Sequence, residues 1–381
     1  MEAALGSLDV ATLTPLVRSA LRDDAVNVVG WQSTQIHGGA GGGAAEGASS
    51  IYRLSGKGRN RTALHPWTLI LKALYPHAGD DPSGSHYWRR EADAYQSGFL
   101  NVLPGGLAAP RCFGVSEQAD GSIWLWLEDV KDELHDWPLP RYGMAARHLG
   151  SFNASFPADR KSTAWPWLST DWIRKDLAHV AETIGHLSDS LRHPLMRELL
   201  PGDAPAKVSR LWAERESFLS ALDRLPQVLC HFDAFRRNLF ARRAKNKDQT
   251  VLIDWAFVGK GPVGAEIVSL VWVTLGFGAV EAANASQLDE IVLDGYMRGL
   301  HDAGWRGHEH HVRLGFAAGA ALRRLGTIGY VTPWIVDETR HAQLESLARR
   351  PLSAWTENFA EAGRFVEGLA DEARQLMNGS G

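Results

Sequence analysis

The chain has 381 residues, 45% of them hydrophobic and 22% charged, enough to bury a sizeable core and to form two domains or two lobes. With 40 Lys and Arg against 44 Asp and Glu, the net charge of −4 supplies no general drive toward nucleic acid or anionic lipid, so neither is expected as a partner. The two cysteines, Cys112 and Cys230, are far apart and form neither a disulfide framework nor a metal-ligand spacing; a reducing cytoplasm is the simplest compartment.

Residues 1–10 carry no positive flank and no continuous apolar stretch, so no export signal is read there. Residues 8–22 then show helical spacing at Leu13, Leu16, Val17 and Leu21, and residues 26–36, 49–54 and 68–74 are strand-like. Residues 37–47 are glycine-rich and of low complexity. Residues 86–100, with Arg89, Arg90, Glu91 and Asp93 among apolar positions, favour a helix. Strands at 111–117 and 122–130 follow, separated by the turn Ala119-Asp120-Gly121. The helix around Glu91 can cover the sheet these strands would form.

Beyond residue 133, helical patterns run through 142–156, 172–186, 206–225, 266–275, 287–303, 311–330 and much of 340–377. The longest apolar run, 267–280, is interrupted by Ser269, Thr274, Gly276 and Gly278 and is too short to span a bilayer. It suits a buried helix. The exception to the helical pattern is 226–258, where apolar stretches at 228–230 and 251–253 flank a polar segment. The 15 tryptophans suit core filling or stacking on a ligand.

That polar segment concentrates the chemistry. His231, Asp233, Arg236, Arg237 and Asn238 are followed by Asp254 at the end of an apolar run. Phosphoryl transfer needs a carboxylate to take the proton of an attacking hydroxyl, and oxygen ligands for a Mg²⁺ ion that bridges the phosphates. Asp233, Asn238 and Asp254 offer such a set; a polar hairpin between two strands is the structural alternative. The segment resembles the His-x-Asp-x4-Asn catalytic loop and following Asp of aminoglycoside phosphotransferases and choline kinases, a branch of the protein-kinase-like fold. The resemblance implies Asp233 as catalytic base, Asn238 and Asp254 as metal ligands, and His231 as a brace of the loop.

The same resemblance organises the rest of the chain. Lys72 is a single charge in an apolar strand, costly unless paired; the family pattern places such a lysine against the nucleotide phosphates and pairs it with a helix glutamate, here Glu91. Taken alone, Lys72 also reads as an edge-strand cation facing solvent. Ser49 and Ser50 end the glycine-rich loop and are expected at the phosphates, although the loop lacks the Lys-Ser/Thr ending of a Walker A motif and also reads as a linker. Glu128 and Val130 sit where the family's hinge binds adenine through backbone groups. Arg236 has the planar donors suited to a transferring phosphoryl group, while Arg242, Arg243, Lys245 and Lys247 read as a solvated hairpin tip. Glu266 stands where the family usually has Asp.

The expectation is therefore an α+β, two-lobed, protein-kinase-like fold. An N-terminal antiparallel sheet lobe with a helix covers 1–127, a hinge 128–132, and a mostly helical C-terminal lobe 133–381. The expected reaction transfers the γ-phosphoryl of ATP or GTP, with Mg²⁺, to a small-molecule hydroxyl acceptor. A non-catalytic nucleotide-binding or scaffold protein is the alternative, and a protein kinase a weaker one, since no Arg lies between His231 and Asp233. The identity of the acceptor and the oligomeric state are not encoded in any motif.

Overall fold

The computed structural model describes residues 8–36, 49–77, 81–159, 165–244 and 246–379; the glycine-rich stretch and Lys245 lie outside the described residues. Helix α1 (Val10–Leu21) opens the chain, N-capped by Asp9, whose carboxylate accepts from Thr12 N–H at 2.8 Å. Then come β1 (Asn27–Ile36), β2 (Ser49–Arg59), β3 (Leu64–Leu74), α2 (Arg90–Gln96), a two-residue β4 (Leu107–Ala108), β5 (Cys112–Glu117) and β6 (Ile123–Glu128). All but β4 form one antiparallel sheet in the order β1-β2-β3-β6-β5.

Strand periodicity sorts this sheet's residues onto two faces. Leu69, Leu71 and Ala73 of β3, with Trp124 and Trp126 of β6, pack with Leu13 and Val17 of α1. Leu74, Ile123, Leu125 and Leu127 face the other way and join α2 and the main core. Lys72 alternates onto that second face. The sheet thus has a cover on each side, α1 as well as the expected α2. The helix at 86–100 is shorter than its pattern, because residues 81–89 are drawn into the contact between the lobes.

The C-terminal lobe contains α3 (Leu139–Ser155), α4 (Trp172–His179), α5 (Ala204–Asp223), β7 (Gln227–Cys230), β8 (Leu239–Ala244), β9 (Lys247–Leu252), β10 (Gly259–Pro262), α6 (Ala285–Asp302), α7 (Glu309–Val336) and α8 (Leu352–Asn378). The predicted helix after residue 172 breaks up after His179 into the short pieces Ala181–Gly185 and Leu187–Ser190. β7 pairs with β10, and β4 adds to the β9–β8 hairpin. The apolar run after Glu266 is a buried helix, as expected, with a π turn at Ser269–Val273 between α turns at Glu266–Val268 and Thr274–Gly276. No described helix is long and apolar enough to cross a membrane. α3 and α6 approach at backbone contact, since a Cβ on Gly299 would lie 1.9 Å from the Arg147 carbonyl oxygen. That closeness lets Tyr296 of α6 donate to Asn153 of α3 at 2.5 Å.

Arg90, at the start of α2, ties the lobes together. Its guanidinium is fully buried and donates to the carbonyls of Pro82, Gly84 and Ser85 on one side and of Trp167 and Ala256 on the other. A planar fork of five donors can serve several carbonyls at once, where an ammonium cannot. Replacing Arg90→Met leaves these acceptors unserved, and the expected loss is about 3 kcal/mol or more. Urea unfolding measures it; a loss near zero would show that water takes over the carbonyls.

Candidate active site

Three segments far apart in sequence converge on Lys72. Its Nζ lies 2.5 Å from Glu91 Oε2 on α2 and 2.7 Å from Asp254 Oδ1 just beyond β9. Burial works against the ammonium, but Asp254 and Glu91 outweigh it and hold Lys72 above the usual lysine range. For Glu91, burial wins over Lys72 and raises the carboxyl. For Asp254, burial is overcome by Lys72 and the carboxylate is held below its ordinary value. The neighbouring Asp254 charge also pushes Glu91 up, and the Asp254 side chain is 42% exposed. Lys72 is thus a paired, buried cation and not the solvent-facing residue that its strand alone permits.

The catalytic-loop candidates lie on the turn after β7. Phe232 and Asp254 both have positive φ, 65° and 63°, a conformation that costs a non-glycine residue about 1–3 kcal/mol and persists only when neighbours impose it. For Phe232 the neighbours are clear. Its ring stacks on Trp172 at 4.8 Å, and its carbonyl accepts from Ser269 Oγ at 2.7 Å. His231 Nδ1 accepts from the Asp233 N–H at 3.2 Å, so Nε2 carries the proton and donates to the Ile253 carbonyl at 3.1 Å. Burial pushes His231 down to about 4, in keeping with this neutral tautomer. The ring therefore bridges the turn bearing Asp233 to the strand end bearing Asp254.

Asn238 completes the turn. Its Nδ2 donates to Asp233 Oδ2 and to the Asp233 carbonyl, both at 2.9 Å, and its own carbonyl accepts from Ile253 N–H at 3.0 Å. With Nδ2 spent on Asp233, Asn238 keeps its Oδ1 as an oxygen donor, and its backbone carbonyl ties the turn to the strand whose end carries the half-exposed carboxylate of Asp254. These are hard oxygen donors of the kind Mg²⁺ takes in small number, phosphate and water supplying the rest. No cluster of three or more His, Cys, Asp or Glu side chains suited to a metal occurs among the described residues. Burial raises Asp233 to about 7, while Arg323 and Asn238 pull down and Asp254 and Asp176 push up.

The helix beginning at Glu266 braces the loop. Glu266 Oε2 accepts the His231 N–H at 2.6 Å, Ser269 serves Phe232, and Thr274 Oγ1 accepts the Arg236 N–H at 3.3 Å. The wider π turn, bonded i to i+5, brings Ser269 and Thr274 to the same loop. The longer Glu266 carboxylate thus reaches a backbone donor of the loop.

Arg236 is placed away from the expected phosphoryl role. Its guanidinium is engaged by Asp132 at 2.7 Å and by the carbonyls of Leu134, His135 and Leu239, over the Trp137 ring at 4.5 Å. Asp132 also accepts the Ala241 N–H at 2.8 Å. Arg242 is likewise not a solvated tip, because it pairs with Glu128 at 3.0 Å and with Gln249. Glu128, tied to Arg242 and to the Arg111 N–H, has its side chain committed; Val130 lies just beyond the end of β6. On β2, Ile51 pairs with Lys72 and Ser49 is two residues earlier, on the Lys72 face, while Ser50 is on the other.

Asp176, Arg323 and Tyr330 were not singled out by motif. Arg323 Nη2 lies 3.5 Å from Asp233 Oδ1 and Nη1 3.3 Å from Asp176 Oδ2; Tyr330 donates to Asp176 Oδ1 at 2.7 Å. A signal did exist: Arg323 and Arg324 interrupt the otherwise apolar 314–325, where charge needs partners. Arg324 finds Glu367 at 2.8 Å.

A family model described as phosphotransferase enzyme family matches residues 89–311, more than half of the chain. No curated protein matches it. Among solved structures, amicoumacin kinase hAmiN in complex with AMP-PNP, Ca²⁺ and Ami superposes with a TM-score of 0.53 at 11% identity, over 84% of this chain and 87% of that one. The choline kinase from Cryptosporidium parvum Iowa II does so with 0.52 at 12%, over 92% and 93%. An aminoglycoside phosphotransferase from Alicyclobacillus acidocaldarius gives 0.52 at 12%, over 93% and 94%. At these identities the likeness is one of fold, and it is the two-lobed kinase-like one.

Burial raises Glu266 to about 7 from its ordinary 4.5, so the folded chain holds this proton more tightly than the unfolded chain. Its contribution to stability is complete below about pH 4.5 and is lost as pH rises through about 7. The stability of wild type relative to Glu266→Gln should therefore fall between about pH 4.5 and 7, by on the order of 3 kcal/mol at most. A pH-independent difference in urea unfolding would mean that Glu266 stays ionised in the folded chain.

Proposed function

The chain belongs to the phosphotransferase enzyme family, and from that premise we propose that it transfers the γ-phosphoryl group of ATP or GTP to a hydroxyl of a small molecule. The reading is carried by the Lys72, Glu91 and Asp254 ion pairs. Stability alone gives little reason to bury a lysine between two carboxylates, since apolar packing serves as well, whereas a preorganised cation beside a phosphate site serves phosphoryl transfer.

In the proposed reaction the acceptor oxygen bonds to the γ-phosphorus as the bond from that phosphorus to the bridging oxygen of the diphosphate breaks. Asp233 takes the hydroxyl proton and the nucleoside diphosphate leaves. Lys72, held by Glu91, meets the phosphates, with Ser49 at the end of the same face. Asn238 Oδ1 and Asp254 would hold Mg²⁺, which when bound neutralises phosphate charge. His231 keeps the turn in register with the strand that carries Asp254. The segment 128–132 acts as the hinge; with the Glu128 side chain committed to Arg242, adenine recognition there falls to backbone groups near Glu128 and Val130. Arg236, fastened to Asp132, serves as a strut between hinge and catalytic turn.

The fold does not select the acceptor, being shared by a choline kinase and an aminoglycoside phosphotransferase. A panel of hydroxyl compounds with a phosphate-transfer readout identifies it, and Mg²⁺-nucleotide stabilisation without any phosphorylated product would instead point to a nucleotide-binding protein.

Asp233→Asn should lower turnover by about 10²–10⁴-fold while sparing nucleotide affinity; near-native phosphorylation by this variant removes Asp233 from the role of base. Lys72→Ala should raise the apparent nucleotide KM about tenfold or more, and an unchanged KM would separate Lys72 from the phosphates.

A further inference from the structure

Asp233 is held from two sides. Asn238, the proposed metal ligand, donates to Oδ2, and the guanidinium of Arg323 faces Oδ1. Arg323 belongs to α7, far in sequence from the catalytic turn, and three features fix its position. It lies over the Trp172 ring at 4.8 Å, it pairs with Asp176 at 3.3 Å, and Asp176 is itself anchored by the Tyr330 hydroxyl. The Asp176 side chain is only 4% exposed, so it has little access to water and depends on these partners. Gly326, one turn along α7 from Arg323, leaves the space that Asp176 fills, since a Cβ there would sit 3.1 Å from Asp176 Oδ2. Trp172 also stacks on Phe232, the residue immediately before Asp233. One aromatic ring therefore supports both the guanidinium and the backbone turn that presents the carboxylate.

We propose that Arg323 is a positioning residue of Asp233: anchored on Asp176 and on the Trp172 face, it holds Oδ1 while Asn238 holds Oδ2, so that the carboxylate presents one fixed edge to the acceptor hydroxyl. The proposal rests on the reading of Asp233 as the base. An aspartate carboxylate turns easily about its last torsion, and two donors on opposite oxygens remove that freedom. The effect belongs to orientation, where small displacements of a reacting group cost about 10²-fold in rate. The two sides are chemically distinct. Asn238 comes from the turn itself, whereas Arg323, Trp172, Asp176 and Tyr330 come from α4 and α7. The ion pair at 3.5 Å is long, in the manner of catalytic contacts that tighten when the substrates are in place.

The test uses the full chain with Mg·ATP, following single-turnover release of γ-phosphate from labelled ATP with water or molar glycerol as acceptor. Arg323→Met should slow the step about 10–100-fold with affinity for Mg·AMP-PNP within about twofold of wild type. Arg323→Lys should recover part of the rate, and guanidinium added to Arg323→Ala should recover it more fully, because the planar fork and not charge alone does the positioning. An Arg323→Met rate within twofold of wild type, alongside an inactive Asp233→Asn, overturns the proposal and leaves the base assignment intact. A loss shared equally with nucleotide affinity and thermal stability, and restored by neither lysine nor guanidinium, also overturns it, as a purely structural role. If Asp233→Asn retains full rate, the base assignment fails first and the positioning role goes with it. Independently of rate, a crystal structure of Arg323→Met should show the Asp233 carboxylate rotated away from its present arrangement with Asn238; an unmoved carboxylate counts against the proposal.

Discussion

A buried cation dictates the centre of this molecule. Lys72 lies on the face of β3 that turns toward the second lobe, and a charge in that position is tolerable only with counter-charges at contact distance. Glu91 and Asp254 supply them from a helix and from a strand end separated in sequence from β3 and from each other. The requirement therefore sets where α2 lies against the sheet and where the β9 end enters from the C-terminal lobe. Arg90, next to Glu91, secures the same junction by backbone carbonyls from both lobes. Charge pairing and carbonyl satisfaction act on one short helix, which explains why α2 is brief and why residues before it leave helical geometry.

The turn that carries Asp233 shows how a strained loop is held by its surroundings. Phe232 adopts a left-handed backbone, His231 gives up its acceptor nitrogen to the Asp233 N–H, and Asn238 folds back on Asp233. None of these would persist in isolation. The helix from Glu266 serves three points of the turn, with its π segment adjusting the phase between Ser269 and Thr274. Behind it, Glu266 also meets Asn153, which takes the Tyr296 hydroxyl. The close glycine contact of α3 with α6 thus reaches the turn that carries Asp233 through a chain of buried hydrogen bonds.

The arginines divide the labour by position. Arg236 and Arg242 fasten the connection after β6 to the C-terminal lobe. Arg323 faces Asp233. Sequence proximity suggested Arg236 for a role at the phosphoryl group, since it lies between Asp233 and Asn238, whereas Arg323 lies in a helix with no motif. The direction of each side chain decides: Arg236 is drawn over Trp137 and into Asp132, and Arg323 is laid on Trp172.

Local pattern was enough for the elements that repeat with a fixed period and for residues whose chemistry needs a particular spacing. The sheet strands, the long C-terminal helices, and the grouping of Asp233, Asn238 and Asp254 were legible because alternation, helical spacing and a tight turn are short-range properties. Lys72 announced by its apolar neighbours that it needed a partner, although only a family pattern named Glu91. Contacts between distant segments were decided by the tertiary structure: the two-sided cover of the sheet, the breakup of the helix after His179, the strut made by Arg236, and the Asp176, Arg323 and Tyr330 group. These depend on which side chains meet after folding, and a buried charge records in the sequence that it needs a partner without recording which one.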